Sequence, residues 1–98
     1  MIKLSPAHRQ YLKGLAHPLS PVIIIGEKGL TEAVLKEVGR ALAAHELIKI
    51  KAGSDEKATR SQWMERICQA LDAAPVQQIG KILVIYRAAE KPAIQLPR

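Results

Sequence analysis

The sequence predicts a single α/β domain in the order α-β-α-β-α-β-β, with helices packed on a four-stranded mixed sheet. Three observations carry this reading. The β-branched run Val22-Ile23-Ile24-Ile25 ends abruptly at Gly26. Leu47 to Lys51 alternates apolar and basic residues with the period of two that marks a strand. Gly80-Lys81 separates two further apolar runs, as in a tight hairpin. Strands that alternate with helices pair in parallel through crossovers, and the closing hairpin adds an antiparallel pair. A chain of 98 residues has room for one core, so residues 1–98 are expected to form one domain.

The first helix starts at Ser5-Pro6, where serine caps and proline fixes the first helical position, and runs to about Ala16, before His17-Pro18. His8, Tyr11, Leu12 and Leu15 share one arc of it, which leaves Arg9 and Lys13 as a basic stripe on the exposed side. Val22 to Ile25, apolar throughout, reads as a strand covered on both faces. Thr31 caps a second helix that ends near His45, with Leu30 stapled onto Leu35 and an apolar stripe of Val34, Leu35, Val38 and Leu42.

In the second strand Ile48 and Ile50 face one way and Lys49 and Lys51 the other. Ala52 to Asp55 is a loop and cap. Arg60, Met64, Ile67, Cys68 and Leu71 then follow helical spacing, ending near Ala73 or Ala74. Val76–Ile79 and Ile82–Arg87 form the hairpin, with a type II′ turn at Gly80-Lys81. From residue 88 to 98 the pattern is lost, and Pro92 and Pro97 suggest an extended tail.

Fifteen Lys and Arg against nine acids give a formal charge of +6, which favours polyanions: nucleic acid first, an anionic membrane second. With no Phe, one Trp and two Tyr, the chain is poor in the aromatic platforms on which bases stack, so a nucleic acid would be gripped mainly by its backbone. Cys68 is the single cysteine, which excludes an internal disulfide framework and places the thiol in the core stripe. The three histidines, His8, His17 and His45, show no paired spacing, so no metal is expected. No nucleophile, base and orienting group can be assembled, so neither an enzyme, a cofactor nor a small-molecule substrate is expected. The longest apolar run is too short to span a bilayer, and the N-terminus lacks a signal peptide's apolar stretch. The expectation is a cytoplasmic protein with no membrane partner.

The most informative segment is Ile25-Gly26-Glu27-Lys28-Gly29-Leu30-Thr31, between a strand and a helix start. Glycines three apart permit positive φ and close backbone approach. The helix that follows turns free N–H groups and a partial positive charge to the same point, and Lys28 adds a cation. The motif is too short for a P-loop and lacks the third glycine of a dinucleotide fingerprint. Such a pair often only shapes a turn. Backbone-clamping RNA modules nonetheless use a loop of this kind.

Several further motifs stand in order: Leu12-Lys13-Gly14-Leu15-Ala16-His17-Pro18-Leu19, then Pro21-Val22 running into Gly26-x-x-Gly29-Leu30-Thr31. Ala44-His45-Glu46-Leu47-Ile48-Lys49, Ile79-Gly80-Lys81-x-Leu83-Val84-x-Tyr86-Arg87 and the closing Leu96-Pro97-Arg98 follow. Together they resemble the YhbY-like family, also called CRM domains, for chloroplast RNA splicing and ribosome maturation. The resemblance implies a fold similar to the C-terminal domain of translation initiation factor three. It also implies an RNA-binding protein that docks on large-subunit ribosomal RNA or its precursor particle and assists assembly, and the chain is expected to be a monomer. By that resemblance Gly26, Glu27, Lys28 and Gly29 contact RNA, with Thr31 at the helix start and Lys13 and His17 before them. Arg9 belongs to the same expected set as a neutralising cation. Glu27 departs from the scheme, since a carboxylate in a phosphate clamp repels RNA.

Several residues carry two readings each. Lys49 and Lys51 are either a basic binding face or the solvated face of an edge strand. Lys57 and Arg60 oppose the dipole of the third helix, which either points to a ligand or leaves them solvated cations satisfied by Asp55 and Glu56 beside them. Lys81 and Arg87 either extend an RNA surface or are plain surface cations, and Trp63 is either the border of a core stripe or an exposed anchor. The alternative to RNA binding is a protein-interaction module of a ribosomal or translational complex, working through a patch at Trp63 or the Pro92–Pro97 tail.

Overall fold

A computed structural model describes residues 3–97; Met1, Ile2 and Arg98, the last of which closes the Leu96-Pro97-Arg98 motif, lie outside the described residues. The elements are α1 (Pro6–Ala16), β1 (Ile23–Ile25), α2 (Glu32–His45), β2 (Leu47–Ala52), α3 (Lys57–Leu71), β3 (Ala74–Ile79) and β4 (Ile82–Tyr86). The strands form one sheet in the order β1-β2-β4-β3, with β1 and β2 parallel and the other pairs antiparallel. This is the predicted α/β order and sheet.

Local chemistry explains the element ends. The Ser5 hydroxyl accepts the His8 N–H at 3.0 Å with Pro6 opening α1, and the Thr31 hydroxyl accepts the Val34 N–H at 3.2 Å to open α2. Gly80 turns the hairpin at φ +54°, while Lys81 stays out of the left-handed region, as a type II′ turn requires. β3 begins at Ala74, two residues before the expected start, and includes Pro75. A proline is tolerated there because β3 is an edge strand with a register shift between Pro75 and Gln77.

The sheet divides two cores. Ile23, Ile25, Ile48, Ile50, Leu83 and Ile85 point to α2 and α3, where Val38, Leu42, Met64, Ile67 and Cys68 meet them. The opposite face sends Leu47, Val76, Val84 and Tyr86 against Leu12 and Ala16 of α1. Residues 88–97 fold back over this second core, with Ala88, Ile94 and Leu96 against it, so the segment read as an extended tail is a strap without regular structure.

Five readings of residue environment change. β1 is covered on one face only: Ile23 and Ile25 are buried, but Val22 and Ile24 are exposed, because β1 is a sheet edge and α1 does not reach it. α1 is turned by about one residue, roughly 100° at 3.6 residues per turn, from the predicted arc. Leu12 and Ala16 are buried, Arg9 and Lys13 are half-buried toward the sheet, and Tyr11 and Leu15 are exposed at 42% and 38%. β2 is interior, so Lys49 and Lys51 do not belong to an edge strand. Arg60 is buried rather than solvated, and its Nη1 donates to the Ser54 carbonyl at 2.8 Å. Asp55 does not cap α3. It pairs with Lys81 at 2.7 Å, and Glu56 takes the cap position without a side-chain bond.

Candidate nucleic-acid interface

The glycine loop sits where β1 ends. Gly26 accepts the Gly29 N–H at 3.0 Å, closing a turn that carries Glu27 and Lys28 outward, both exposed. Gly29 needs to be glycine, since its φ of +73° is in the left-handed region. A β-carbon built there would meet Trp63 Cζ2 at 3.5 Å, so Trp63 forms the floor under the loop and packs at the border of the core. Gly26 has neither reason. Its φ is not positive and a β-carbon there would meet nothing within 4 Å.

Gly53 supplies a contrast. A β-carbon on it would lie 2.4 Å from the Ile25 carbonyl oxygen, which accepts the Gly53 N–H at 2.9 Å. Gly53 therefore lets the loop after β2 hug the end of β1. The sequence offered no sign of this role, because the residue lies in a loop whose partner is a backbone atom far along the chain.

The expected binding residues fall into three places. Gly26, Glu27, Lys28, Gly29 and Thr31 share the β1–α2 loop, but the Thr31 hydroxyl is engaged in the helix cap. Lys13 and His17, at the C-terminal end of α1, meet Lys49, Gln77, Ile79 and Ile82 around a groove of about 130 Å³. Lys49 Nζ donates to the His17 carbonyl at 3.3 Å, tying α1 to the middle of the sheet. Arg9 stands apart: its Nε donates to the Pro75 carbonyl at 3.4 Å on β3, the sheet edge opposite the loop. Arg87 does not extend the surface either, because its guanidinium donates to the carbonyls of Leu71 at 3.0 Å and Gly39 at 3.2 Å, bridging α3 and α2.

The Gly26 loop, the Gly53 loop and the Gly80-Lys81 turn all lie at one end of the sheet, since Ile25 pairs with Ala52 and Lys51 with Ile82. Lys28 and Lys81 are exposed there. Among the described residues no group of three or more His, Cys, Asp and Glu could hold a metal, and no helix is long and apolar enough to cross a membrane.

Residues 4–87 match the CRS1 / YhbY (CRM) domain family. The chain is 49% identical over 98 residues to a Haemophilus influenzae protein called an RNA-binding protein, spanning 100% of this chain and 99% of the relative. It is 40% identical over 89 residues to a probable RNA-binding protein of Pseudomonas aeruginosa, covering 91% and 86% of the two chains. The solution structure of a hypothetical Staphylococcus aureus protein, described as a candidate for RNA binding, superposes with a TM-score of 0.85 at 32% identity. That match covers 97% of this chain and 100% of the other.

Proposed function

The chain belongs to the CRS1 / YhbY (CRM) family, and on that premise we propose that it is an RNA-binding protein whose Gly26–Gly29 loop receives the RNA backbone. Its relatives carry the name of RNA-binding proteins, and a net charge of +6 suits a polyanion. Gly26 carries the reading. It is a glycine that neither φ nor crowding requires, beside a tight turn and an exposed lysine. A bare backbone facing open solvent is what a phosphate or ribose needs to come close.

In this reading Lys28 and Lys13 neutralise phosphates around the loop, and Glu27 turns away from the backbone it would repel. Recognition follows RNA shape and backbone rather than base edges. The proposed target is large-subunit ribosomal RNA or its precursor particle, bound by one copy of the chain to assist subunit assembly.

Gly26→Asp is the test. The side chain enters open space at an ordinary φ, so the fold is retained, while a carboxylate replaces the bare backbone. Binding to large-subunit ribosomal RNA fragments is followed across a salt series. The expected result is a steep salt slope for the natural chain and a loss of about tenfold or more in affinity for the folded variant. Equal affinity would reduce the loop to a turn.

A further inference from the structure

Across the sheet, the pairings Ile24↔Lys51, Lys51↔Ile82 and Ile82↔Ile79 align one residue from each of the four strands on the α1 face. The row reads Ile, Lys, Ile, Ile, and it lies beyond the part of that face which α1 and the strap cover. Ile24 is 67% exposed and Ile79 57%, at opposite edges of the sheet, while Lys51 is exposed and Ile82 half-buried between them. The solvated face of a sheet is ordinarily polar. Here three of the four side chains in the row are isoleucine.

We propose that this row is a second RNA subsite, which takes unpaired nucleotides with their bases and riboses on Ile24, Ile82 and Ile79. The proposal rests on the RNA-binding reading above and adds the strandedness of the ligand. Charge selects the occupant. The groove beside the row is bordered by Lys13, His17 and Lys49, and no acid lines it. The side-chain ammonium groups of Lys51, within the row, and of Lys13 make no hydrogen bond or ion pair among the described residues, so both cations are available to phosphates. Lys81 is committed to Asp55 and is left out of the subsite.

Geometry joins this row to the loop. Val22 and Ile24 point to the same side of β1, and Gly26 follows two residues later. A strand held at Gly26 thus runs onto the row without crossing a core element. Strands about 4.8 Å apart place Ile24 and Ile79 roughly 14 Å from each other, the span of two or three nucleotides. Other four-stranded RNA-binding sheets offer aromatic platforms at this place. Aliphatic side chains give contact without base preference, in keeping with a chain that has no Phe.

The experiment compares a blunt RNA hairpin with the same hairpin carrying a single-stranded oligouridine extension. The proteins are the natural chain, the double variant Ile24→Ser with Ile79→Ser, and Lys51→Gln. Both isoleucines are exposed, so the double variant folds, which circular dichroism checks. The natural chain is expected to prefer the extended hairpin by about tenfold. The double variant should lose that preference while keeping its affinity for the blunt hairpin and its salt slope. Lys51→Gln should lower the salt slope for the extended RNA by about one. If the double variant keeps the preference, or the natural chain shows none while binding both hairpins, the subsite is overturned and the RNA-binding reading stands. If the natural chain binds neither hairpin, the RNA-binding reading itself falls. Self-association that the double variant abolishes would overturn the subsite by making the row a contact between copies.

Discussion

The side-chain carboxylate of Glu46 accepts the backbone N–H of Ala93 at 2.8 Å, across most of the second half of the chain. The same carboxylate takes the N–H groups of Ile94 at 3.1 Å and Ala89 at 3.0 Å, and the Glu46 carbonyl accepts the Arg87 N–H at 2.8 Å. One residue therefore ends α2, leads into β2 and anchors the strap that covers the second core. It does so from a φ of +65°, a conformation non-glycine residues avoid, while 4% exposed. A buried acid persists in such a place because its partners fix it there.

Glu46→Gln keeps the shape but replaces an anion that accepts three N–H bonds with an amide whose NH₂ faces donors. Hydrogen bonds to a charged group are worth about 1.5–3 kcal/mol, so the variant should lose stability by about that amount. Urea denaturation reads the loss as a lower midpoint. Amide exchange at Ala93 and Ile94 should accelerate more than exchange in β2, because the strap is released first.

The bonds from Ala89, Ala93 and Ile94 hold the Glu46 carboxyl below its ordinary pKa, against the opposing effect of burial. A folded-state pKa below the unfolded one contributes stability that is fully present above the unfolded value, about 4.3. That contribution is lost as pH falls through the lower, folded pKa. The stability difference between the natural chain and Glu46→Gln should therefore be flat from neutral pH down to the ordinary carboxylate range, then shrink in stronger acid. A difference that grew on acidification would contradict the assignment.

Gly26, Gly29 and Gly53, at one end of the sheet, should separate by stability alone. Gly29→Ala places a β-carbon at φ +73° and should cost about 1–2 kcal/mol. Gly53→Ala drives a β-carbon to 2.4 Å from the Ile25 oxygen and should cost more, by prising β1 from the loop after β2. Gly26→Ala should lie within about 0.5 kcal/mol of the natural chain. Thermal or urea unfolding of the three variants checks the order. A large loss at Gly26 would mean that this glycine serves the fold.

Much of the fold was legible because periodicity reports secondary structure directly: Ser5-Pro6 and Thr31 mark the helix starts, and the alternation of Leu47 to Lys51 marks β2. The family resemblance was legible in the same motifs. What the sequence hid is of one kind. Glu46, Arg60 and Arg87 all work by bonding to backbone groups, and every residue offers the same N–H and C=O, so no motif announces the partner. The turn of α1 was hidden for a related reason. Tyr11 and Leu15 look like core residues, but the surface α1 lies on is partly polar, and the aliphatic stems of Arg9 and Lys13 cover it. The row of Ile24, Lys51, Ile82 and Ile79 exists only once strand order and register are known.

Arg87 should prove a structural cation. Its fork spans the Leu71 carbonyl at the end of α3 and the Gly39 carbonyl within α2, a geometry an ammonium cannot reproduce. Arg87→Lys is expected to cost about 1–2 kcal/mol, since one charge-assisted bond between the two helices is lost. RNA affinity measured on the folded fraction should not move, in contrast with Lys51→Gln. Loss of affinity without loss of stability would return Arg87 to the binding surface.

Cys68 provides a probe of how α3 rides on β3. Burial pushes its thiol up to about 11, and the side chain lies in the core beside Met64 and Ile67. At pH 8 the thiolate fraction is then far below that of a free cysteine, so ionisation alone slows alkylation. A shallow groove bordered by Met64, Cys68 and Pro75 approaches the thiol from the α3–β3 side. Two routes to labelling can be told apart by adding urea below the unfolding transition. If the thiol reacts only from the unfolded chain, the rate rises with the full urea dependence of global unfolding. If α3 lifts locally off β3, exposing far less surface, labelling proceeds with a weak urea dependence. The close contact of Cys68, Met64 and Ile67 with the Leu83 and Ile85 side of the sheet favours the first, and a steep dependence is the expected result. A shallow one would show that the edge strand β3, interrupted at Pro75, opens independently of the rest of the sheet.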